Sequence, residues 1–323
     1  MEVALTEEQQ ELAATVRSLL AKRADSAAVR AAMDGESGYD KALWKTLVEQ
    51  IGVAALPVPE EHDGVGASLM ETAVVLEEVA RSLAPSPLLA SAAAVAALAL
   101  HGTDDQRAEL LPRIAAGTLA TVVLEPPLVL EPDAEIVLVP RGHELEVSDA
   151  RPEVRPALDP TLRLGHLDMT VEPSQPLLDV AASLATALQV GVAQRGLDMC
   201  VSYSKERVQF GRPIGSFQAL KHRMADLLVL VEMSRSASWA ACGTASAYVA
   251  DPTPERAESL RLRAAVAQAY CSDAAEKVAG ETIQLHGGIA ITWEHDAHLV
   301  FKRAHALGQL FGTSRRHRAT LAL

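Results

Sequence analysis

The chain has 323 residues, with 49% hydrophobic and 22% charged side chains, which places it among globular chains with two or three domains and outside the disordered class. Its formal net charge of -13 disfavours nucleic acid as the main partner, because phosphate binding needs an excess of Lys and Arg. The 3 cysteines, Cys200, Cys242 and Cys271, are odd in number and widely spaced, which argues against a disulfide framework and suits a reducing cytosol.

Thr6-Glu7-Glu8-Gln9 has the form of a capping box, and Leu12, Val16, Leu19 and Leu20 follow at helical spacing. The opening MEVALTEEQQ lacks the basic-then-apolar pattern of a signal peptide. Asp34–Gly38 reads as a loop, and Leu43, Leu47, Val48 and Ile51 read as a second helix stopped by Gly52. A turn-rich crossing from Leu56 to Gly64 leads to three more predicted helices, Leu69–Leu83, Pro87–Leu100 and Asp104–Ala116. The longest apolar run, Leu88–Leu100, is too short to span a bilayer, and no membrane partner is expected. Residues 1–118 are expected to form one all-helical domain.

From Leu119 the pattern changes to short β-favouring runs, Leu119–Leu124, Ile136–Val139 and Leu145–Val147, punctuated by prolines and Gly142. Residues 119–176 are expected to form a reduced β domain, too small for an independent barrel. Over residues 177–323 the helical pattern returns, with long helices predicted at Leu177–Lys205, Ser216–Val249, Pro254–Leu285 and Glu294–Leu310. Short connections between them suggest an antiparallel bundle. The expected fold is mainly α, with an N-terminal helical domain, a small β middle domain and a C-terminal four-helix bundle.

The chemistry concentrates between Ala193 and Gln218, AQRGLDMCVSYSKERVQFGRPIGSFQ. This stretch begins as an amphipathic helix and ends in a glycine-punctuated turn carrying Arg207, Gln209, Phe210 and Gln218. A fixed cation, two amides and an aromatic ring on a bent backbone suit an anionic, planar-headed ligand, since a guanidinium offers a planar donor fork to phosphate oxygens. A second stretch, Gln284 to Thr292 (QLHGGIAIT), adds a bend where Gly287 and Gly288 let backbone N–H groups approach a pyrophosphate. Each residue also has a plainer reading. Arg207 can pair with Glu206 or Asp198, Phe210 can anchor a core, Gly287-Gly288 can cap a helix C-terminus and Thr313 can be an N-cap. His295 and His298 sit three apart, which fits a capped helix start better than a zinc pair at i and i+4. Trp293 reads as a packing anchor and Cys200 as a core residue.

These stretches resemble the acyl-CoA dehydrogenase family. LTEEQQELAATVRSLL is similar to its first helix, and LWKTLVEQIGVAALPVPEEHDGVGASLMETAVVLEEVARSLAP to the next part of its N-terminal domain. VGVAQRGLDMCVSYSKERVQFGRPIGSFQALKHRMADL matches the start of its C-terminal bundle, and QLHGGIAITWEHDAHLVFKRAHALGQLFGTS the end. The paired RxxFGxPxxxxQ and QxxGG motifs, in this order on helical segments, make the signal specific. The resemblance implies a helix–β–helix subunit that assembles through its bundle, with FAD lying across a subunit interface. It also implies oxidation of an acyl-CoA thioester to a trans-2-enoyl-CoA. Arg207 looks like the family's pyrophosphate arginine, Phe210 like its flavin-contacting phenylalanine and Gln218 like its adenosine-side glutamine. Gln209 lies among them. Gln284, Gly287 and Gly288 look like the second pyrophosphate loop, and Thr313, in FGTS, like the threonine that meets the flavin near its phosphates.

Three departures qualify the resemblance. The middle region reads ATVVLEPPLVLEPDAEIVLVPRG, where only Glu125-Pro126 echoes a TEPxxGSD-like stretch, and a WIT-like stretch is absent. The reaction needs a carboxylate to remove the α-proton while hydride leaves the β-carbon. The family's usual glutamate position is Phe311 here, and its alternative position on the first bundle helix is Ala181. Asp179 lies two residues from Ala181, about 200° around a helix. No residue of this chain is therefore expected to be catalytic. The pattern looks like the short, base-lacking subunit of heteromeric, actinobacterial-type acyl-CoA dehydrogenases. Its implied partner is a longer homologous subunit, in an α2β2 arrangement. Bulky CoA thioesters such as steroid side-chain intermediates are the substrates that the analogy suggests. The rival readings are a homodimeric flavoenzyme with its base relocated to Asp179 or Glu125, and a flavin-free assembly subunit.

Overall fold

The computed structural model describes residues 4–321 and opens with six α-helices. These are α1 (Glu7–Arg23), α2 (Ser26–Asp34), α3 (Lys41–Thr46), α4 (Leu69–Arg81), α5 (Leu88–His101) and α6 (Asp104–Ala115). The capping box at the start of α1 forms as the sequence predicts. The Gln9 N–H donates to Thr6 Oγ1 at 3.2 Å, and the Thr6 N–H donates to Gln9 Oε1 at 3.0 Å. The same reciprocal device starts α4 at Ser68 and α6 at Thr103, and each such cap contributes about 1 kcal/mol. Helix α3 runs on into a π turn, Leu47–Ile51, and stops where Gly52 takes φ 77°, the left-handed conformation that glycine adopts freely. Helix α2 lies outside the expected set. Asp25 caps it through the Ala28 N–H at 2.8 Å, but Val29 is its only buried residue, so no apolar periodicity marks it.

The middle of the chain holds two three-stranded sheets. In the first, β1 (Ala120–Val122) pairs parallel with β3 (Ile136–Arg141), which pairs antiparallel with β4 (Glu144–Ser148). In the second, β6 (Leu164–His166) lies between β2 (Leu128–Leu130) and β5 (Glu153–Arg155). The first sheet follows the predicted runs. The second was not expected, because its strands are three residues each and β5 is wholly exposed.

Helices α7 (Gln175–Glu206), α8 (Gln218–Ala250), α9 (Pro254–His286) and α10 (Ala297–Leu307) form the C-terminal bundle, and α11 (Ser314–Thr320) packs on α9. Between α7 and α8 the short strands β7 (Val208–Gln209) and β8 (Arg212–Pro213) make a hairpin. The helix–β–helix order agrees with the expected fold class; α11 is an addition to it. Helix α7 is the centre of the core. It is long and apolar enough to cross a membrane, yet 89% of its most apolar window is buried inside the protein. It packs against α4 so closely that a Cβ at Gly191 would lie 2.1 Å from the Glu77 carbonyl oxygen. Polar bridges reinforce this contact: Arg235 of α8 donates to Glu77 and to Gln194, each at 2.8 Å, and Arg81 of α4 meets Asp198 of α7 at 2.7 Å.

One buried acid in the β region sets a pH dependence. Glu131 is buried at φ 48°, and burial pushes its carboxyl up to about 8, opposed by Arg163 and reinforced by Asp133. The folded state therefore holds a proton that the unfolded state releases above its ordinary range. This group's contribution is greatest below about 4.5 and is lost as pH rises towards 8. Glu131→Gln is expected to stabilise the chain by roughly 2–3 kcal/mol at pH 8, with little effect at pH 4.5. Urea denaturation at the two pH values measures the difference, and equal shifts at both would refute it.

Candidate functional site

Seven of the eight proposed cofactor-binding residues come together at one end of the bundle. Helices α7 and α9 finish side by side there, with the Tyr203 ring stacked on His286 at 4.5 Å, and α8 begins there. Arg207 follows the last turn of α7, its N–H donating to Tyr203 O at 2.9 Å. Its side chain is exposed and, among the described residues, makes no ion pair. The expected alternative partner Asp198 is taken by Arg81, so the surface-pair reading of Arg207 is not what the structure shows.

The β7–β8 hairpin turns through Phe210 at φ 53° and Gly211 at φ 77°, the positive pair that a tight two-residue hairpin requires. Phe210 pays this conformational strain with its side chain 92% exposed, which excludes the core-anchor reading. Its ring meets Phe217 edge-on at 6.1 Å, and the Arg212 guanidinium lies over Phe217 at 4.1 Å. Gln209 is exposed, its amide donating to the Val208 carbonyl at 2.8 Å. Gln218 opens α8, exposed, with its amide 2.7 Å from His222 Nε2.

Gln284 is exposed on the last turn of α9. Gly287 caps α9, as its plainer reading has it, and opens a 3-10 turn over Gly287–Ile291. It takes φ 64°, ψ -143°, a region suited only to glycine. A Cβ built on Gly287 or Gly288 meets nothing within 4 Å. The backbone here is open to a ligand, and an unpaired guanidinium and three exposed amides surround the same end of the bundle. This donor set fits the anionic, planar tail of a flavin nucleotide.

Thr313 stands apart. It is the N-cap of α11, accepting the Arg316 N–H at 3.2 Å, and the neighbouring Ser314 hydroxyl donates to Ala269 O at 3.2 Å. Ala269 precedes Gln284 by about 22 Å of helix at 1.5 Å per residue. One chain therefore does not gather all eight residues around one point.

Beside Thr313, Phe311 sits at φ 56°, partly buried. It lines a cavity of about 80 Å³ with Glu125, Asp179, Arg261 and Arg316. Arg316 closes one side through an ion pair to Glu125 at 2.8 Å. Asp179 is buried; Gln175 donates to its Oδ1 at 2.9 Å, and its Oδ2 has no partner among the described residues. Burial pushes the Asp179 carboxyl above its ordinary range, against the Gln175 bond and the Arg261 charge. Ala181 is fully buried in the core and lies outside this cavity. The cavity thus faces the Asp179 side of α7, the side that the helical rotation from Ala181 made the less expected one. Ligand pockets commonly measure about 300–1,000 Å³, so this space within the single chain is small for a three-ring flavin head.

Other groups depart from the sequence reading. Trp293 is 55% exposed, not a packing anchor, with His298 stacked on it at 4.6 Å and Lys302 over its ring at 5.0 Å. His295 does serve the start of α10, its Nδ1 accepting the Ala297 N–H at 3.2 Å. His286 and His295, whose rings lie 4.8 Å apart, were not singled out as a pair. The histidine inside QLHGG was the available signal.

The comparisons bear on the family and the fold. The model of the acyl-CoA dehydrogenase N-terminal domain matches residues 6–118, and that of the C-terminal domain matches residues 175–323. Acyl-CoA dehydrogenase IpdE2 of Mycobacterium tuberculosis is 46% identical over 96% of this chain and 94% of its own length. Among solved structures, a Tcur3481-Tcur3483 steroid ACAD variant superposes with a TM-score of 0.85 at 28% identity, covering 98% of this chain and 97% of the other. The ChsE4-ChsE5 complex from Mycobacterium tuberculosis superposes at 0.83 and 24% identity, over 100% and 98%, a likeness of fold. The chain belongs to the acyl-CoA dehydrogenase family, FAD-dependent oxidoreductases that act on CH–CH donors.

Proposed function

We propose that this chain is the base-lacking subunit of a heteromeric acyl-CoA dehydrogenase, with residues 1–118, 119–176 and 177–323 as its three domains. In this reading Arg207, Gln209, Phe210, Gln218, Gln284, Gly287 and Gly288 hold the adenine-pyrophosphate end of an FAD shared across the subunit interface, and Thr313 meets a flavin from the other end of α9. A longer homologous partner, in an α2β2 assembly, supplies the glutamate and holds the flavin ring. Bound flavin supplies the hydride acceptor for conversion of an acyl-CoA to its trans-2-enoyl product.

The observation that carries the reading is the contrast between two sites in one chain. The tail residues are exposed, and Arg207 makes no ion pair among the described residues, while Phe311 stands at the usual base position beside a cavity of only about 80 Å³. A phenyl ring cannot accept the α-proton, and the space within this chain is small for a flavin head. The apolar side chains Leu228, Val229 and Met233, exposed on α8, and Leu262 and Val266, exposed on α9, suit burial against a partner bundle. The similarity to the steroid ACAD variant suggests bulky CoA thioesters as substrates.

The test is expression of the chain alone and with a longer homologue carrying the glutamate. The isolated chain is expected to be colourless and inactive, and the co-purified complex yellow and active on acyl-CoA. Full activity with bound flavin in the isolated chain would refute the shared site. One observation favours the homomeric alternative: Asp179 and Glu125 both line the Phe311 cavity. That reading requires an active homomer whose turnover collapses on Asp179→Ala or Glu125→Ala.

A further inference from the structure

The turn that begins at Gly287 is closed by rings at both of its feet. His286 immediately precedes it, and His295 follows its last residue, Ile291, by four positions. The two rings lie 4.8 Å apart, tilted at 53°, and Tyr203 of α7 stacks on His286 at 4.5 Å. The column Tyr203–His286–His295 thus joins the end of α7 to both ends of the glycine turn. His286 is buried, with its Nδ1 2.8 Å from Thr282 O. Within the turn Ala290 is fully buried, and the Thr292 N–H donates to Ile289 O at 3.1 Å. The turn is therefore folded onto the protein and not merely a free loop.

We propose that His286 and His295 are positioning residues, a neutral ring pair that fixes the Gly287–Ile291 turn and releases it when both rings are protonated. The groups facing the pair come from several elements. His286 meets Tyr203 and the Met199 backbone of α7, and Thr282 on its own helix. His295 is faced by Arg195 of α7, by His298 and by Asp296. Asp296 favours protonation of His295, but its carboxylate is shared with Arg30 at 2.9 Å and Arg195 at 3.4 Å. Burial holds both imidazoles below the ordinary histidine range, and each neighbouring ring charge adds to this at His295. Two imidazolium rings in contact would repel each other in a partly dry site. The pair is expected to stay neutral and closed at neutral pH and to open under acid conditions.

The consequence for a cofactor rests on the flavin-tail reading, so turn and ligand are measured separately on the full chain. Hydrogen exchange at the Ala290 and Thr292 amides, corrected for intrinsic rates, reports the turn without any ligand. Protection is expected to fall by about tenfold or more between pH 7.5 and pH 5.5, since one coupled proton changes an equilibrium by up to tenfold per pH unit. His295→Phe retains a ring without a titrating group and should keep protection at both pH values. His295→Ala should lose it at both. Unchanged protection in His295→Ala, or the same acid loss in His295→Phe, would overturn the proposal. ADP then probes the tail site: its affinity should fall with turn protection. Affinity that rises on acidification would mean that the rings act by attracting phosphate, and would also overturn the proposal. Turn behaviour as described with no ADP binding, and no effect of His295→Ala on the flavin content of the complex, would uphold the ring pair and remove the tail reading.

Discussion

Arg303→Met is expected to destabilise the chain by about 3–5 kcal/mol, because it strips a buried carboxylate of its compensating charge. Arg303 of α10 is 2% exposed and Asp159 is fully buried. They communicate through Thr161. Arg303 Nη1 donates to Thr161 Oγ1 at 3.1 Å, and Thr161 donates its hydroxyl and its N–H to Asp159 Oδ1 at 2.6 and 2.9 Å. Arg303 also donates to the Ala84 carbonyl at 3.3 Å. This chain of bonds fastens the connection between β5 and β6 to the bundle and to the segment after α4. Burial already pushes the Asp159 carboxyl up, and Arg303 is the main group opposing that shift. Without the guanidinium the folded carboxyl rises further above its unfolded range. The loss is then smallest below the unfolded value and grows as pH rises through the folded one. Denaturation of Arg303→Met at pH 5 and pH 8 should show the larger loss at pH 8. Adding Asp159→Asn should recover part of it, since both charges are then gone. Additive losses in the double variant would mean that the two groups do not compensate each other.

Much of the helical frame is legible in the sequence because its signals are local. Thr6 and Gln9 are three residues apart, Gly52 directly ends its turn, and α7 to α10 carry long apolar patterns. Helix α2 escaped because it buries only Val29, and β5 because it buries nothing. The arginine and glycine motifs at Arg207 and Gly287 could be read because each is contiguous and lies at a helix end. What tertiary structure decides was not readable in the same way. Asp159 and Arg303 are brought together from different parts of the chain. Phe210 reads as an apolar residue, and only the positive-φ hairpin shows that its ring is held out in solvent. The cavity at Phe311 faces Asp179 because of how α7 is rotated in the core, a choice made by its neighbours. Helical periodicity relates Asp179 to Ala181 but does not say which of the two lines the cavity.

Arg207→Ala in the assembled complex is expected to weaken FAD binding by about 10- to 100-fold, the loss of a charge-assisted hydrogen-bonding group worth roughly 1.5–3 kcal/mol. The structural cost to this chain should be small. Arg207 lies beyond the last turn of α7, exposed and without an ion pair among the described residues, and the bonds that fix its backbone, to Tyr203 O and from the Ile214 N–H at 2.8 Å, do not involve its side chain. Thermal unfolding of the flavin-free chain should therefore be nearly unchanged while flavin retention on dilution drops. Arg207→Lys separates charge from geometry: an ammonium keeps the charge but lacks the planar fork, so partial recovery is expected. Gln284→Ala, which removes a neutral amide, should cost less than either. Arg212→Ala is a useful contrast, because Arg212 lies over the Phe217 ring and supports the hairpin through that contact. If Arg207→Ala retains flavin as the parent does while Gln284→Ala loses it, the tail lies along the glycine turn and not at the end of α7. If neither loses flavin, this end of the bundle does not hold the cofactor.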